Sequence, residues 1–131
     1  MAENINEEYV VDASFVISFL LPDERVLEVD RKFELYSQNA IHFVSTYLLP
    51  FEVLNGLKNA VIRKRINDNL ATKLASIFFD YKIRLIKIEL YKTFLLALKQ
   101  NLSVYDASYV YLAKSQNMSL LTQDKRLTLI N

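Results

Sequence analysis

Short apolar runs alternate along the chain with longer stretches in which apolar residues recur every three or four positions. The runs at residues 9–11, 41–44, 84–88 and 118–122 have the length of buried strands, and the stretches between them have the period of helices. Strands that alternate with helices pair in parallel, through right-handed crossovers. The pattern therefore predicts an α/β fold with a mainly parallel central sheet of four to five strands.

Helices are predicted in every connection between these strands. Pro22 ends the first helix, and Ser45 or Thr46 is placed to cap the helix that follows the second strand. Asn117 tolerates the left-handed turn that ends the last long helix before the fourth strand. The predicted helices span residues 13–21, 23–39, 46–65, 67–80, 89–100 and 103–114, and a last turn with residues 127–130 closes the chain.

The length and composition of the chain predict a single domain over residues 1–131. The 131 residues are 52% hydrophobic, so we expect a folded globule beyond the first few residues. The N-terminal segment is acidic where a secretory signal is basic, and the longest apolar stretch, residues 13–21, is too short to cross a bilayer. We therefore expect a soluble, cytoplasmic protein with no membrane partner.

Three rare residue types exclude whole classes of site. A single glycine, Gly56, leaves no glycine-rich phosphate loop and no nucleophile elbow. The absence of cysteine removes disulfides, thiolate metal sites and a cysteine nucleophile, and His42 alone cannot build a multi-histidine metal centre. The net charge of +1 does not by itself indicate nucleic-acid binding, which would need local basic patches.

Four acidic residues stand where strands end or where the next helix begins. Asp12 follows the first strand, Glu52 and Asp106 lie in early helical turns, and Asp124 follows the fourth strand. Taken singly, each is explained as a helix-capping residue. Because the carboxyl ends of parallel strands share one edge of a sheet, we expect the four carboxylates to meet there.

Clustered carboxylates either shift their pKa values or hold cations, and an all-oxygen ligand set suits Mg²⁺ or Mn²⁺. One or two such ions activate a water molecule and stabilise the in-line displacement of a phosphodiester oxygen. The acidic cluster therefore predicts a metal-dependent nuclease.

The segments around the four acids carry a family resemblance. They read VVDAS at residues 10–14, FEVLNGL at 51–57, YDASY at 105–109 and LLTQDKRL at 120–127. In this order they resemble the motifs of PIN-domain ribonucleases, above all the VapC-type toxins of bacterial toxin–antitoxin pairs. The resemblance implies an α/β/α sandwich, dependence on Mg²⁺ or Mn²⁺, and endonucleolytic cleavage of RNA. It also implies a homodimer and inhibition by a VapB-like antitoxin, whose C-terminal segment often places an Arg in the acidic site.

The resemblance also implies roles for individual residues. Ser14 and Thr122 match hydroxyl positions that orient a carboxylate or a bound water, and Asn55 matches a frequent polar position on the helix face of Glu52. Asn55 is equally well explained as a surface amide. The acidic quartet of the family, catalytic and metal-binding, is matched by Asp12, Glu52, Asp106 and Asp124, with Asp12 and Asp106 as the principal ligands.

Basic residues near the ends of two helices are candidate contacts to RNA phosphates. Any one of them, taken alone, is better explained as part of a solvated helix end. They are Lys58, Arg63, Lys64, Arg65, Lys125 and Arg126.

The same sequence features leave three alternatives to compare with this interpretation. A phospho-acceptor receiver domain also uses acids at strand ends with Mg²⁺, but it needs an acceptor Asp after its middle strand, and residues 84–88 (RLIKI) supply none. A catalytically silent PIN-like interaction module would be indicated by the loss of one acid, and all four are present. A DNA-directed nuclease would use the same chemistry and stays open.

Overall fold

The structure, a computed structural model, describes residues 7–130, and its centre is a sheet of four parallel strands. The strands lie in the spatial order β3-β2-β1-β4, and Val10 of β1 pairs with Val44 on one side and with Leu120 on the other. The expectations for the first six residues lie outside the described part. The strands are β1 (Glu7–Val11), β2 (Ile41–Thr46), β3 (Arg84–Ile86) and β4 (Ser119–Leu121).

Helices fill every connection, as the sequence predicts. No helix within residues 7–130 combines the length and the apolar character needed to span a bilayer. Asn117 has the predicted left-handed conformation, with φ at 54°. The helices of the described part are α1 (Ala13–Leu20), α2 (Leu27–Ser37), α3 (Leu49–Ile62), α4 (Asp68–Asp80), α5 (Leu90–Gln100), α6 (Val104–Ser115) and α7 (Lys125–Ile130).

Different helices cover the two faces of the sheet. Phe43 of β2 stacks on Tyr36 of α2, with ring centroids 4.6 Å apart. Thr46 lies three positions further along β2, hence on the opposite face, and its hydroxyl is 3.5 Å from that of Ser108 in α6. The α/β fold with a parallel four-stranded sheet is therefore confirmed, and its three layers form a sandwich.

The prediction that Ser45 or Thr46 caps α3 is wrong. Both residues belong to β2 and are buried. The Ser45 hydroxyl donates to the Val11 carbonyl at 2.6 Å, and the Thr46 hydroxyl accepts from the Leu48 N–H at 3.2 Å. The α3 helix begins only at Leu49 without a side-chain cap, because the hydroxyls bind the strand and the turn instead.

The predicted start of the second helix is also wrong. Residues Pro22–Glu24 form a separate 3₁₀ turn, and α2 begins at Leu27. Val26, between them, has extended backbone angles (φ −132°, ψ 149°) that interrupt any continuous helix. The predicted third and fourth strands are each two residues longer than the observed β3 and β4.

The close packing of α1 on α3 depends on the one glycine of the chain. A Cβ atom at Gly56 of α3 would overlap the Cδ1 atom of Ile17 in α1. Asp12 caps α1, and Glu52 lies in the first turn of α3, one helical turn before Gly56. The helix spacing that Gly56 permits therefore also sets how closely these two acids approach.

Candidate active site

Asp12 is a buried carboxylate at the end of β1, only 4% exposed. Its Oδ1 atom accepts from the Ser14 hydroxyl at 2.7 Å and from the Phe15 N–H at 2.9 Å, and its Oδ2 atom accepts from the Thr122 hydroxyl. Burial raises the pKa of Asp12 from its ordinary 3.8; the three hydrogen bonds oppose this shift, and the charge of Asp106 adds to it. The carboxylate is thus tightly oriented in a site that favours its neutralisation.

Ser14 and Thr122 connect Asp12 to the loop that carries Asp124. The Ser14 hydroxyl accepts from the Gln123 N–H at 2.9 Å, and the Thr122 hydroxyl accepts from the Asp124 N–H at 3.0 Å. Each hydroxyl has one proton to donate, and both protons point at Asp12. Both residues therefore lie beside the first and last acids, where the sequence places them.

Glu52 is half-buried in the first turn of α3 and accepts a hydrogen bond from the hydroxyl of Tyr109 in α6. Burial raises the pKa of Glu52; the Tyr109 bond opposes the shift, and the charges of Asp106 and Asp12 add to it. The pKa of Tyr109 is in turn raised far above its ordinary value, first by burial and then by its bond to Glu52. The pair holds one proton firmly on the phenol.

Tyr109 was missed by the sequence reasoning. Tyr109 is the last residue of the YDASY segment, and an aromatic residue in a helix is usually a core residue. Its spacing carries a signal, because Tyr109 follows Asp106 by three positions and so lies on the same helix face. That face is the one that α6 turns toward the acids.

Asp106 and Asp124 share a cation from the same chain. One guanidinium nitrogen of Arg126 lies 3.1 Å from Asp106 Oδ2 and 2.8 Å from Asp124 Oδ2. The bond to Arg126 lowers the pKa of Asp124, more than desolvation raises it. Arg126, predicted to contact RNA, is thus paired with two acids of the site in this structure.

The four acids line one cavity of about 300 Å³. Asn55 and Asn59 of α3 line it as well, so the predicted Asn55 lies at the site and Asn59 joins it. Within residues 7–130, no three acidic or histidine side chains stand in an arrangement that would hold a metal ion as they are. Tyr109 and Arg126 engage the carboxylates of this cavity instead.

The basic candidates, Arg126 included, lie outside the cavity lining. Arg65 forms ion pairs with Asp23 and Glu24, each at 2.7 Å. Its neighbours Arg63 and Lys64 are exposed just past the end of α3, about 15 Å along the helix axis from Glu52. Lys58 and Lys125 are also exposed.

These observations define an α/β protein with a carboxylate-lined site at the carboxyl ends of parallel strands. The family model of the PIN domain matches residues 9–131. The chain is 32% identical to Ribonuclease VapC3 of Pyrobaculum aerophilum over 122 residues, which cover 90% of each chain. The chain therefore belongs to the PIN domain family.

Solved structures agree on the fold. The chain is similar to the crystal structure of PAE2754 from Pyrobaculum aerophilum, with a TM-score of 0.72, 21% identity, and coverage of 96% of this chain and 86% of that one. It is also similar to VapC20 of Mycobacterium tuberculosis, a toxin that cleaves the sarcin–ricin loop, with a TM-score of 0.65 and 11% identity. That match covers 94% of this chain and 95% of VapC20.

Proposed function

We propose that this protein is an endoribonuclease dependent on Mg²⁺ or Mn²⁺, the toxin of a type II toxin–antitoxin pair. The observation that carries the proposal is the single cavity lined by Asp12, Glu52, Asp106 and Asp124. The similarity to Ribonuclease VapC3 over 90% of both chains supports RNA as the substrate. An RNA substrate in turn favours the cytoplasm as the place of action. We further propose that residues 1–131 act as one PIN domain.

The donor set of the cavity fits a hard divalent cation. Carboxylate and amide oxygens are the protein ligands of Mg²⁺ and Mn²⁺, and the cavity offers these with no thiolate or imidazole. Burial raises the pKa values of Asp12 and Glu52, and the charge of Asp106 adds to both shifts, so a cation bound between these groups would favour their ionised forms. We assign Asp12 and Asp106 as principal ligands, and Glu52 and Asp124 as the residues that complete the site.

The hydrogen bonds of Asp12 decide which of its oxygens is available. Oδ1 already accepts from Ser14 and from the Phe15 N–H, whereas Oδ2 accepts only from Thr122. A carboxylate oxygen has two lone pairs, so Oδ2 keeps one for a cation. Ser14 and Thr122 thus orient the carboxylate, and Tyr109 does the same for Glu52. When bound, the ion activates a water molecule and offsets charge on the scissile phosphodiester.

Two partners belong to the proposal. A VapB-like antitoxin would inhibit the enzyme by inserting an Arg into the acidic cavity, since a guanidinium pairs well with desolvated carboxylates. A second copy of the chain would cover the apolar stripe of α5, defined as Leu90, Tyr91, Phe94, Leu95 and Leu98, which are 45–72% exposed. An isologous dimer places such a stripe against itself and removes it from water.

Cleavage of labelled RNA tests the proposed reaction. Purified protein free of antitoxin is incubated with total tRNA and rRNA fragments in Mg²⁺ or Mn²⁺, with EDTA in a parallel reaction. We expect cleavage that EDTA and Asp12→Asn abolish and that the exposed Asp80→Asn leaves unchanged. A peptide from the C-terminus of the cognate antitoxin should also stop it.

Three outcomes would contradict the proposal. Intact RNA in the presence of verified metal binding would favour the silent interaction module, and cleavage of DNA alone would favour the DNA-directed nuclease. Cleavage that persists in EDTA would rule out the metal mechanism.

A further inference from the structure

Arg126 pairs with two of the acids that line the cavity. Its guanidinium reaches Asp106 of α6 and Asp124 of the loop before α7, and so it connects two acids that are 18 positions apart in sequence. The side chain is 65% exposed, so it lies at the rim of the cavity, where it is able to turn away into solvent.

Asp124 is held in place even without the guanidinium. The backbone N–H of Arg126 donates to Asp124 Oδ1 at 2.9 Å, and the backbone N–H of Asp124 itself donates to the Thr122 hydroxyl at 3.0 Å. Both donors are main-chain N–H groups, so these bonds do not depend on the side chain of Arg126. The guanidinium therefore neutralises the two acids without being needed to position Asp124.

We propose that Arg126 is a built-in counter-ion of the acidic cavity, which pairs with Asp106 and Asp124 in the metal-free protein and must release both before a divalent cation binds. The inference rests on the proposed function, because it requires these carboxylates to be metal ligands. The guanidinium and the ion compete for the same oxygens, and the free protein thus binds metal more weakly than its carboxylates alone would.

Titration of the metal-free, full-length protein with Mn²⁺ by calorimetry tests this competition. Arg126→Gln should bind Mn²⁺ about fivefold more tightly than the wild type, the scale expected for exposed ion pairs. Arg126→Lys keeps the charge but loses the two-point contact to Asp124, in which Nε and a terminal guanidinium nitrogen lie 3.3 and 2.8 Å from its two carboxylate oxygens, so it should also bind more tightly than the wild type. The neighbouring, exposed Lys125→Gln removes the same charge without a contact to the acids and should change the affinity less than twofold.

Thermal unfolding supplies a second readout. Without the counter-ion the carboxylates repel each other, so metal-free Arg126→Gln should melt below the wild type. With saturating Mn²⁺ the two proteins should melt together, because the ion then neutralises the acids in both. This pattern also shows that the variant is folded.

The outcomes separate the two proposals. Equal Mn²⁺ affinities for wild type and Arg126→Gln, or equal increases for Arg126→Gln and Lys125→Gln, would overturn the counter-ion and leave the metal-dependent nuclease standing. If Arg126→Gln binds Mn²⁺ and the wild type does not, the result supports a counter-ion that fully blocks the metal site. Failure of every variant and of the wild type to bind Mn²⁺ would overturn both.

Discussion

The buried hydroxyl of Tyr109 in α6 donates a hydrogen bond to Glu52 in α3, and this bond joins the two helices across the acidic cavity. Tyr109 is only 1% exposed, so its position is fixed by the packing around it. The phenol keeps its proton and acts only as a donor, since its pKa is raised far above the ordinary value. Tyr109 is therefore a positioning residue for Glu52.

Removing this hydroxyl should impair the site without unfolding the protein. In Tyr109→Phe the ring stays packed and Glu52 loses its donor, so we expect RNA cleavage to fall about tenfold, as for other residues that orient metal-binding carboxylates. Because burial then acts on Glu52 without the opposing bond, its pKa should rise further, and the pH–rate profile should shift upward.

Tyr111→Phe is the matched control on the same helix, because Tyr111 lies outside the acidic cavity. We expect its cleavage rate and pH profile to match those of the wild type. Equal rates for Tyr109→Phe and the wild type would show that the bond to Glu52 does not serve the reaction.

The raised pKa of Asp12 makes the stability of the metal-free protein depend on pH. The native state binds this proton more tightly than the unfolded chain does, so the free energy of unfolding decreases as pH rises above the ordinary value of 3.8 and through the native pKa. Asp12→Asn removes this loss and keeps a helix cap, since Asn caps as well as Asp. In EDTA its melting temperature should exceed that of the wild type by about 2–5 °C near neutral pH.

The advantage of Asp12→Asn should shrink as the pH falls toward 3.8 and vanish below it, where the wild-type carboxyl is protonated in both the native and the unfolded state. Asp124→Asn provides the opposite case, because the pKa of Asp124 is lowered by Arg126. Its ionised form contributes stability above the unfolded pKa, so Asp124→Asn should melt below the wild type at neutral pH. If the difference in melting temperature between Asp12→Asn and the wild type does not change with pH, the raised pKa of Asp12 is refuted.

The sequence predicts the fold and the acids because their signals are local. Alternating apolar runs identify the strands, and the parallel arrangement then brings the ends of β1 and β4 together, with Asp12 and Asp124 after them. Ser14 and Thr122 follow from the same segments. Each of these inferences depends only on residues that adjoin a strand end in the sequence.

What the sequence does not reveal are contacts between residues that are distant in sequence. Tyr109 resembles a core aromatic until Glu52, 57 positions away, is seen beside it. Arg126 resembles a solvated cation until Asp106 is known to lie across from it. Ser45 resembles a helix cap, but its hydroxyl binds the Val11 carbonyl of the neighbouring strand. Spacing along one element cannot reveal a partner that tertiary packing supplies.

The contact between Gly56 and Ile17 predicts a conditional effect on stability. Gly56→Ala gains about 1 kcal/mol in helix propensity, but its Cβ overlaps Ile17 Cδ1 and must displace the side chain or the helix. We expect a net loss of about 1–2 kcal/mol in the free energy of unfolding, as for other overpacked sites. In an Ile17→Val background, which lacks Cδ1, the same substitution should be neutral or stabilising.

Urea denaturation of the wild type, Gly56→Ala, Ile17→Val and the double variant measures the coupling between the two positions in a double-mutant cycle. Additive effects of Gly56→Ala and Ile17→Val would show that the overlap relaxes without cost.

Arg63 and Lys64 are the exposed basic residues best placed to test RNA binding beyond the cavity. We propose Arg63→Gln with Lys64→Asn, since Lys64 has a φ of 60° and Asn tolerates the left-handed region. The two substitutions are combined in an Asp12→Asn background, which prevents cleavage. The combined variant should bind RNA more weakly, and the steepness of log affinity against log salt concentration should fall by about 1–2.

Arg65→Gln serves as the comparison, because Arg65 is already paired with Asp23 and Glu24. It should leave the salt slope nearly unchanged. Filter binding at several salt concentrations measures the slopes. Identical slopes for the Asp12→Asn background, for the Arg63→Gln/Lys64→Asn variant and for Arg65→Gln would exclude this basic segment from the RNA interface.

The apolar stripe of α5 predicts that a charge there breaks the proposed homodimer. The opposite face of α5, with buried Thr93 and Ala97, packs into the protein, so a substitution at Leu98, 64% exposed, leaves the core intact. Leu98→Glu would place two like charges at a two-fold interface, and light scattering after gel filtration should show a monomer where the wild type is a dimer. Leu27→Glu, on an 88% exposed residue of α2, should stay dimeric. A monomeric wild type, or a dimer that survives Leu98→Glu, would exclude this stripe as the interface.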